Sequence, residues 1–332
     1  MFFRRLRNLR AAEFPKGLEW LNASPQSLKS WRGKKVVLID FWTYSCINCQ
    51  RTFEHLKRWH KAYAGKGLEI VGVHSPEFAF EKDSAHVAAA IKEFGLTYPV
   101  VLDPDFKVWE LYGNQHWPHH YLIDKNGYIV YDHAGEGGYA ETEMHIQKAL
   151  KELGAKDLPA IGPDSSLGGQ VCYRTTPEIY LGFLRGALGN RKEFLPDSEE
   201  SFEDPTKHED DIPYLHGHWK VGGEYLEHSR KLALPNEYLV LKYSAFSVNL
   251  VMSTSDGRSA TLELELDGRP VPKDFAGSDV RIEKDGRATV TIKEPRLYKL
   301  VNASLYHRGT LKLRTASGNL RLYAFTFGGC QE

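Results

Sequence analysis

Six of the eight residues in Lys35-Val36-Val37-Leu38-Ile39-Asp40-Phe41-Trp42 are apolar, and two cysteines, Cys46 and Cys49, follow within seven residues of its end. A near-continuous apolar run reads as a central strand buried on both faces, since a strand with one wet face would alternate. A helix is predicted to follow over 49–63, where Phe53, Leu56 and Trp59 recur at a spacing that keeps them on one face. The apolar run 68–74 then reads as a second strand. Strand, helix and strand make a right-handed unit with parallel strands. Beyond it the pattern predicts a helix at 84–94, a strand at 98–103 and a short helix at 106–112. Strands at 121–124 and 128–133 flank Lys125-Asn126-Gly127, a hairpin signal, and a helix at 141–153 closes the unit. Such alternation implies a three-layer α/β sandwich with mixed strand directions.

The periodicity changes in the second half. Residues 155–215 carry Pro159, Gly162, Pro163, Gly168 and Gly169 and then an acidic stretch, the composition of a surface linker. From Trp219 onward apolar and polar residues alternate, at 238–243, 261–266, 288–292 and 311–314, between turn signals such as Asp267-Gly268 and Asp285-Gly286. An antiparallel β-sandwich is the reading. The expected organisation is an α/β domain over 1–154, a bridging segment over 155–215 and an all-β domain over 216–332. The 332 residues suffice for two cores.

The 43 basic and 43 acidic residues cancel, so the electrostatic footprint of a nucleic-acid binder is missing. Arg4, Arg5, Arg7 and Arg10 resemble the opening of a signal peptide, but no apolar run of sufficient length follows, nor does any stretch read as a membrane span. Taken alone, these features read as cytoplasmic if the chain is full length.

A C-x-x-C pair serves zinc sites as well as redox sites. Zinc requires four ligands, and neither a second C-x-x-C nor an H-x-x-x-H supplies the missing two, so no metal is expected. Cys46 sits where a buried strand hands over to a helix, beside unpaired backbone N–H groups at the positive helix end, a setting for a nucleophilic sulfur. Cys49, one turn on, is placed to resolve a mixed disulfide. Resolution needs a base, and Asp40, among apolar neighbours, is the candidate: a carboxylate there is costly unless paired or protonated. The alternative is an Asp at an exposed strand end. Trp42 either shields the cysteines or packs in the core. Trp117-Pro118 precedes a predicted strand, and a cis bond there would leave the Trp117 backbone free to pair with an extended substrate segment.

Asp40-Phe41-Trp42, Cys46-x-x-Cys49 and Trp117-Pro118 resemble the thioredoxin superfamily, with Pro118 in the place of its cis-proline and Asp40 in that of its buried acid. The longer string from Asp40 to Thr52, with 72–78 and Tyr121-Leu122-Ile123-Asp124, is similar to the periplasmic part of DipZ-type proteins within the TlpA-like branch. The segment 176–182 is similar to that family's bridge between domains. The resemblance implies a thioredoxin-like fold with an inserted helix and strand, followed by a jelly-roll, carbohydrate-binding-module-like β-sandwich. It implies a thiol:disulfide oxidoreductase acting on protein disulfides, in the periplasm or cell envelope, with the Cys46–Cys49 disulfide as its redox group and no other cofactor. DipZ-type proteins carry a preceding membrane domain that delivers electrons, so either this sequence is an excised portion of such a protein or it is a stand-alone relative that takes electrons from a separate donor, a CcdA- or DsbD-like membrane protein or a thioredoxin.

Glu77, after the second predicted strand, stands where TlpA-like reductases often place an acid, the other reading being an exposed loop Glu; Trp42, Trp117 and Glu77 are the expected substrate contacts. His119 and His120 alternate on a strand and cannot both face the cysteines. Cys172 and Cys330 either remain two thiols or close a disulfide around 157 residues, worth about 4 to 5 kcal/mol in the loop-entropy model. Trp219, Tyr225, Tyr243, Phe246, Tyr298, Tyr306, Tyr323 and Phe325 suggest a second reading, a glycan- or envelope-binding module with an accessory redox site, although a β-sandwich core uses the same residues. A thiol peroxidase is a weaker third reading, since no lone peroxidatic cysteine with its Thr and Arg is evident.

Overall fold

The structure, a computed structural model, describes residues 9–162, 172–190, 193–228 and 236–330. Arg4, Arg5 and Arg7, and Pro163, Gly168 and Gly169 of the expected linker, lie outside these. The chain divides into two units, Met1–Gly168 and Gly169–Glu332.

In the first unit the elements run β1 (Trp20–Leu21), α1 (Leu28–Trp31), β2 (Val36–Trp42), α2 (Ile47–Tyr63), β3 (Leu68–His74), α3 (Ser84–Phe94), β4 (Val100–Leu102), α4 (Lys107–Tyr112), β5 (His119–Ile123), β6 (Ile129–Ala134) and α5 (Tyr139–Leu153). The sheet order is β1-β4-β3-β2-β5-β6, with β2, β3 and β4 mutually parallel and the other pairings antiparallel. All seven residues of β2 are buried because alternate side chains enter two different cores. Val36, Leu38 and Trp42 meet Phe53, Leu56, Trp59 and Tyr63 of α2, together with Ile146 and Leu150 of α5. On the opposite face Val37, Ile39 and Phe41 meet Val108 and Tyr112 of α4 and Leu28 of α1. This is the expected three-layer arrangement. Strand β1 and helix α1, two and four residues long, were not expected, being too short for any periodicity to register.

In the second unit, among the described residues, the strands pair antiparallel, apart from an isolated parallel bridge between Asp210 and Lys242, and the hydrogen bonds join the strands into one large sheet rather than two sheets linked only by loops. Its two longest strands, Tyr238–Thr254 and Arg296–Thr315, pair along most of their length and shift register at Ala245/Ser247 and Val248/Asn249. Such bulges bend a strand and sharpen its twist. Tyr238–Thr254 pairs with Pro213–Val221 through its first residues and with Leu320–Gly328 through its last, so the sheet curves around a core that includes Trp219, Leu241, Leu250, Leu264, Leu313 and Phe325. Part of the segment expected as a linker belongs to this sheet. Ile179–Tyr180 pairs with Leu320–Gly328, and Glu199–Phe202 pairs with Pro213–Val221.

Candidate functional site

The first helical turn of α2 carries the cysteines. Cys46 has extended backbone angles, φ −79° and ψ 117°, and serves as the N-cap, its sulfur accepting a hydrogen bond from the Cys49 N–H at 3.4 Å. An N-cap acceptor satisfies one of the N–H groups that a helix start leaves unpaired. Cys46 is partly exposed, Cys49 is fully buried, and both are free thiols. Burial pushes the Cys49 thiol well above its usual range, the nearby Cys46 and Asp40 adding to the effect, because a thiolate there would be both unsolvated and close to negative charge.

Trp117-Pro118 is a cis peptide. The Trp117 carbonyl lies 3.9 Å from the Cys46 sulfur, and the Pro118 carbonyl is occupied by the Gly135 N–H at 2.8 Å. The Trp117 indole donates to the Ser75 carbonyl at 3.0 Å and leans on Trp109, with ring centroids 4.3 Å apart. Both tryptophans are half-buried, leaving apolar surface beside the accessible sulfur.

Asp40 lies in the middle of the sheet, opposite Gly72 on β3 and His120 on β5. Its Oδ1 is 3.1 Å from His120 Nε2, and each side chain is 1% exposed. That distance is an ion pair's, but the angles do not make a hydrogen bond: both carboxylate oxygens and both ring nitrogens have no hydrogen-bond partner.

Trp42 has no exposed surface. It packs edge-on against Phe53 and His74 at 5.2 and 4.8 Å, so it belongs to the core and has no face to offer a substrate. Glu77 is half-buried; its backbone N–H donates to Glu81 Oε2 at 2.6 Å, and its charge acts on the same carboxyl. The buried acid on the cysteine loop is Glu81, which accepts from the Ser45 N–H at 3.2 Å, the Ser45 hydroxyl at 2.7 Å and the Phe78 N–H at 3.0 Å. Burial raises its pKa, with the hydrogen bonds from Thr43 and Ser45 opposing. The sequence did not single out Glu81, and the only available signal was an acid between Phe80 and Lys82 that no helix face explains. His119 turns to the other face and hydrogen-bonds Asn114 at 2.5 Å, while His120 faces Asp40. The alternation expected of that pair is thus observed.

In the second unit Cys172 and Cys330 are disulfide-bonded. Six of the eight aromatics considered for sugar stacking, Trp219, Tyr243, Phe246, Tyr298, Tyr323 and Phe325, are buried, and a buried ring has no face for a ligand. Tyr225 and Tyr306 are half-buried, and Arg321 lies over the Tyr225 ring at 4.3 Å.

A partly exposed sulfur capping a helix, a buried second thiol one turn on, an internal acid and a cis-proline define a thioredoxin-fold dithiol protein. Residues 15–132 match the AhpC/TSA family and residues 176–328 match the family described as thioredoxin-like C-terminal domain. The chain is 33% identical over 317 residues to protein DipZ of Mycobacterium tuberculosis, a match that covers 93% of this chain and 41% of DipZ. It therefore spans about two fifths of the length of that relative. It is 31% identical over 134 residues to the thiol-disulfide oxidoreductase ResA of Halalkalibacterium halodurans, covering 40% of this chain and 70% of ResA. Similarity to the thiol-disulfide oxidoreductase YkuV of Bacillus subtilis is 27% over 133 residues, covering 40% of this chain and 88% of YkuV. The chain belongs to the thioredoxin-like thiol-disulfide oxidoreductases, with an all-β domain following the redox domain.

Proposed function

We propose that this chain reduces disulfides in other proteins by dithiol–disulfide exchange. The observation that carries the reading is the asymmetry of the pair: Cys46 is accessible and bonded at the helix start, whereas Cys49 is sealed and held protonated. The Cys46 thiolate attacks one sulfur of a substrate disulfide, forming a mixed disulfide and releasing the other sulfur, which takes a proton from solvent. Cys49 then gives its proton to Asp40 and attacks Cys46. The Cys46–Cys49 bond forms, the bond to substrate breaks, and two electrons have passed to the substrate. The Trp117 backbone, beside the Cys46 sulfur, receives the extended substrate segment, and the Trp109–Trp117 surface takes its apolar side chains. Glu81 holds the loop that presents Cys46.

An extracytoplasmic location is supported by the Cys172–Cys330 disulfide, since such bonds persist in oxidising compartments, and by the likeness to DipZ over most of the chain. Among the described residues no helix is long and apolar enough to cross a membrane. The pair would be re-reduced by a membrane thiol donor of the CcdA or DsbD kind or by a thioredoxin.

Insulin reduction by the pre-reduced protein, followed by equilibration against a glutathione series, tests the reading. Insulin should be reduced and the potential should be strongly negative, near the roughly −270 mV of thioredoxin. A potential near the roughly −120 mV of a strong oxidant would reverse the direction of transfer.

A further inference from the structure

Three ionisable side chains stand in a row across the sheet behind the cysteines. Asp40 on β2 lies opposite His120 on β5, and His120 lies opposite His133 on β6. Residues directly opposed in antiparallel strands share a face, with Cβ atoms about 4.5–5.5 Å apart. Asp40 and His120 are sealed, while His133 is only half-buried, so the row runs from the cysteine site towards solvent at the outer strand. Both oxygens of Asp40, both ring nitrogens of His120 and Nε2 of His133 have no hydrogen-bond partner. Apart from the Asp40–His120 approach at ion-pair distance, none of these five atoms is tied to the fold by a hydrogen bond, although a buried polar group without one is costly and rare in a core that serves packing alone. His133 is held below the usual histidine range by burial first and by His120 next, which puts the two imidazoles within electrostatic reach.

We propose that Asp40, His120 and His133 form a proton relay that carries the proton leaving Cys49 out to solvent at the β6 side of the sheet. His120 is a positioning residue in this relay and acts through Asp40. The relay rests on the reading of Cys46 and Cys49 as an exchanging dithiol. As the Cys49 sulfur attacks Cys46 and the bond to substrate breaks, the electron pair goes to the substrate sulfur and the Cys49 proton goes to Asp40. His120 Nε2 takes that proton from Asp40, and the other ring nitrogen passes one to His133 and on to water. The departing substrate thiolate takes a proton from solvent, so protons balance, and re-reduction runs the row in reverse.

Ionisable groups on the elements packed here include Cys49, His55 and His60 on α2, Tyr98 before β4 and Tyr139 on α5, with Glu143 of α5 taken up by Arg58 and Tyr63 of α2, while Glu141 and Asp132 act on His133. None of the others continues the row: His60 and Tyr98 face each other at 6.0 Å, and His55 is stacked on Tyr139 at 3.5 Å. Trp59 closes the α2 side of His120 at 6.1 Å.

The test uses the full chain, pre-reduced and mixed with insulin in single-turnover, acid-quenched reactions across pH 5 to 9, in water and in deuterium oxide, with mixed disulfide and oxidised protein separated by mass. His120→Gln should slow resolution of the mixed disulfide about 10- to 100-fold, flatten the pH dependence of that step and change its solvent isotope effect. His133→Gln should act in the same direction, less strongly. In a Cys49→Ala background, formation of the mixed disulfide should be indifferent to His120→Gln. Resolution at the wild-type rate with the wild-type pH profile would overturn the relay, as would equal slowing of both steps, which marks a merely structural role. The 13C shift of Cys49 Cβ is followed against pH independently of turnover. His120→Gln should displace that titration, and an undisplaced curve overturns the relay. A displaced curve in a protein that reduces no insulin would remove the reductase reading and leave the relay standing.

Discussion

A thiol with no solvent exposure keeps its proton until a base is offered, whereas a thiol at a helix start is open to reaction. Cys46 should therefore be alkylated faster than Cys49 at neutral pH, by about tenfold or more. Cys49→Ala should accumulate mixed disulfides through Cys46, and Cys46→Ala should accumulate none; labelling followed by peptide mapping reads both, and faster labelling of Cys49 would invert the roles. His74 gives a second residue-scale expectation. Burial lowers its pKa from 6.5 to about 3, because its imidazole lies between Trp42 and Tyr44. The unfolded chain takes up a proton below pH 6.5 that the folded chain refuses, so stability is lost as pH falls from 6.5 towards 3. At pH 5 the loss from this residue amounts to about 2 kcal/mol. His74→Gln should flatten the slope of unfolding free energy against pH in denaturant titrations over that window; an unchanged slope would show that His74 is protonated in the folded protein. Cys46, Cys49, Asp40 and Pro118 were legible because each breaks its local pattern, a cysteine at a strand–helix boundary or an acid in an apolar run. Glu81 and the Asp40–His120 pairing were not, since the first depends on a short helical turn folding back on the cysteine loop and the second on strand register.

Gly72 lies at the centre of β3 without a left-handed backbone, so its reason is steric. A Cβ there would come within 2.7 Å of the Trp42 indole nitrogen and 3.3 Å of both Tyr98 and Val100. Trp42 is fully enclosed by Phe53 and His74 and has nowhere to retreat. Gly72→Ala should cost about 1 to 3 kcal/mol of stability through overpacking and should shift the near-ultraviolet signal of the buried tryptophan. A wild-type transition midpoint would mean that β2 and β3 can part without loss. At this scale β2, α2, β3 and α3 were readable within two residues of their ends because their apolar period survives in the sequence. The two long strands of the second unit were read only in part, at 238–243 and 311–314, against Tyr238–Thr254 and Arg296–Thr315. Register shifts interrupt Tyr238–Thr254 at Ala245 and Val248, and burial from Ala245 to Ser253 is continuous, so the two-residue alternation disappears there.

Across the whole chain, each unit carries its own core, and the cysteines divide between them by role: two remain thiols in Met1–Gly168 and two are bonded in Gly169–Glu332. The bond joins residues 158 apart in sequence, which is nearly the entire second unit. Closing a loop of that size removes much conformational freedom from the unfolded chain, about 5 kcal/mol in the loop-entropy model. The folded sheet already brings the two ends together, because Cys172 and Cys330 face each other in an antiparallel bridge and the Tyr173 N–H donates to the Gly329 carbonyl at 2.8 Å. The cross-link therefore acts mainly on the unfolded ensemble, and its loss should leave the native sheet in place but easier to open. The double variant Cys172→Ala, Cys330→Ala should speed hydrogen exchange in peptides spanning Tyr238–Thr254 and Arg296–Thr315 and lower the melting transition of that unit. Peptides from β2 and β3 should keep their protection, and insulin reduction at low temperature should be unchanged. Equal loss of protection in β2 would show that the two units unfold as one, and unchanged exchange in the long strands would show that the bond contributes nothing beyond what their pairing already provides.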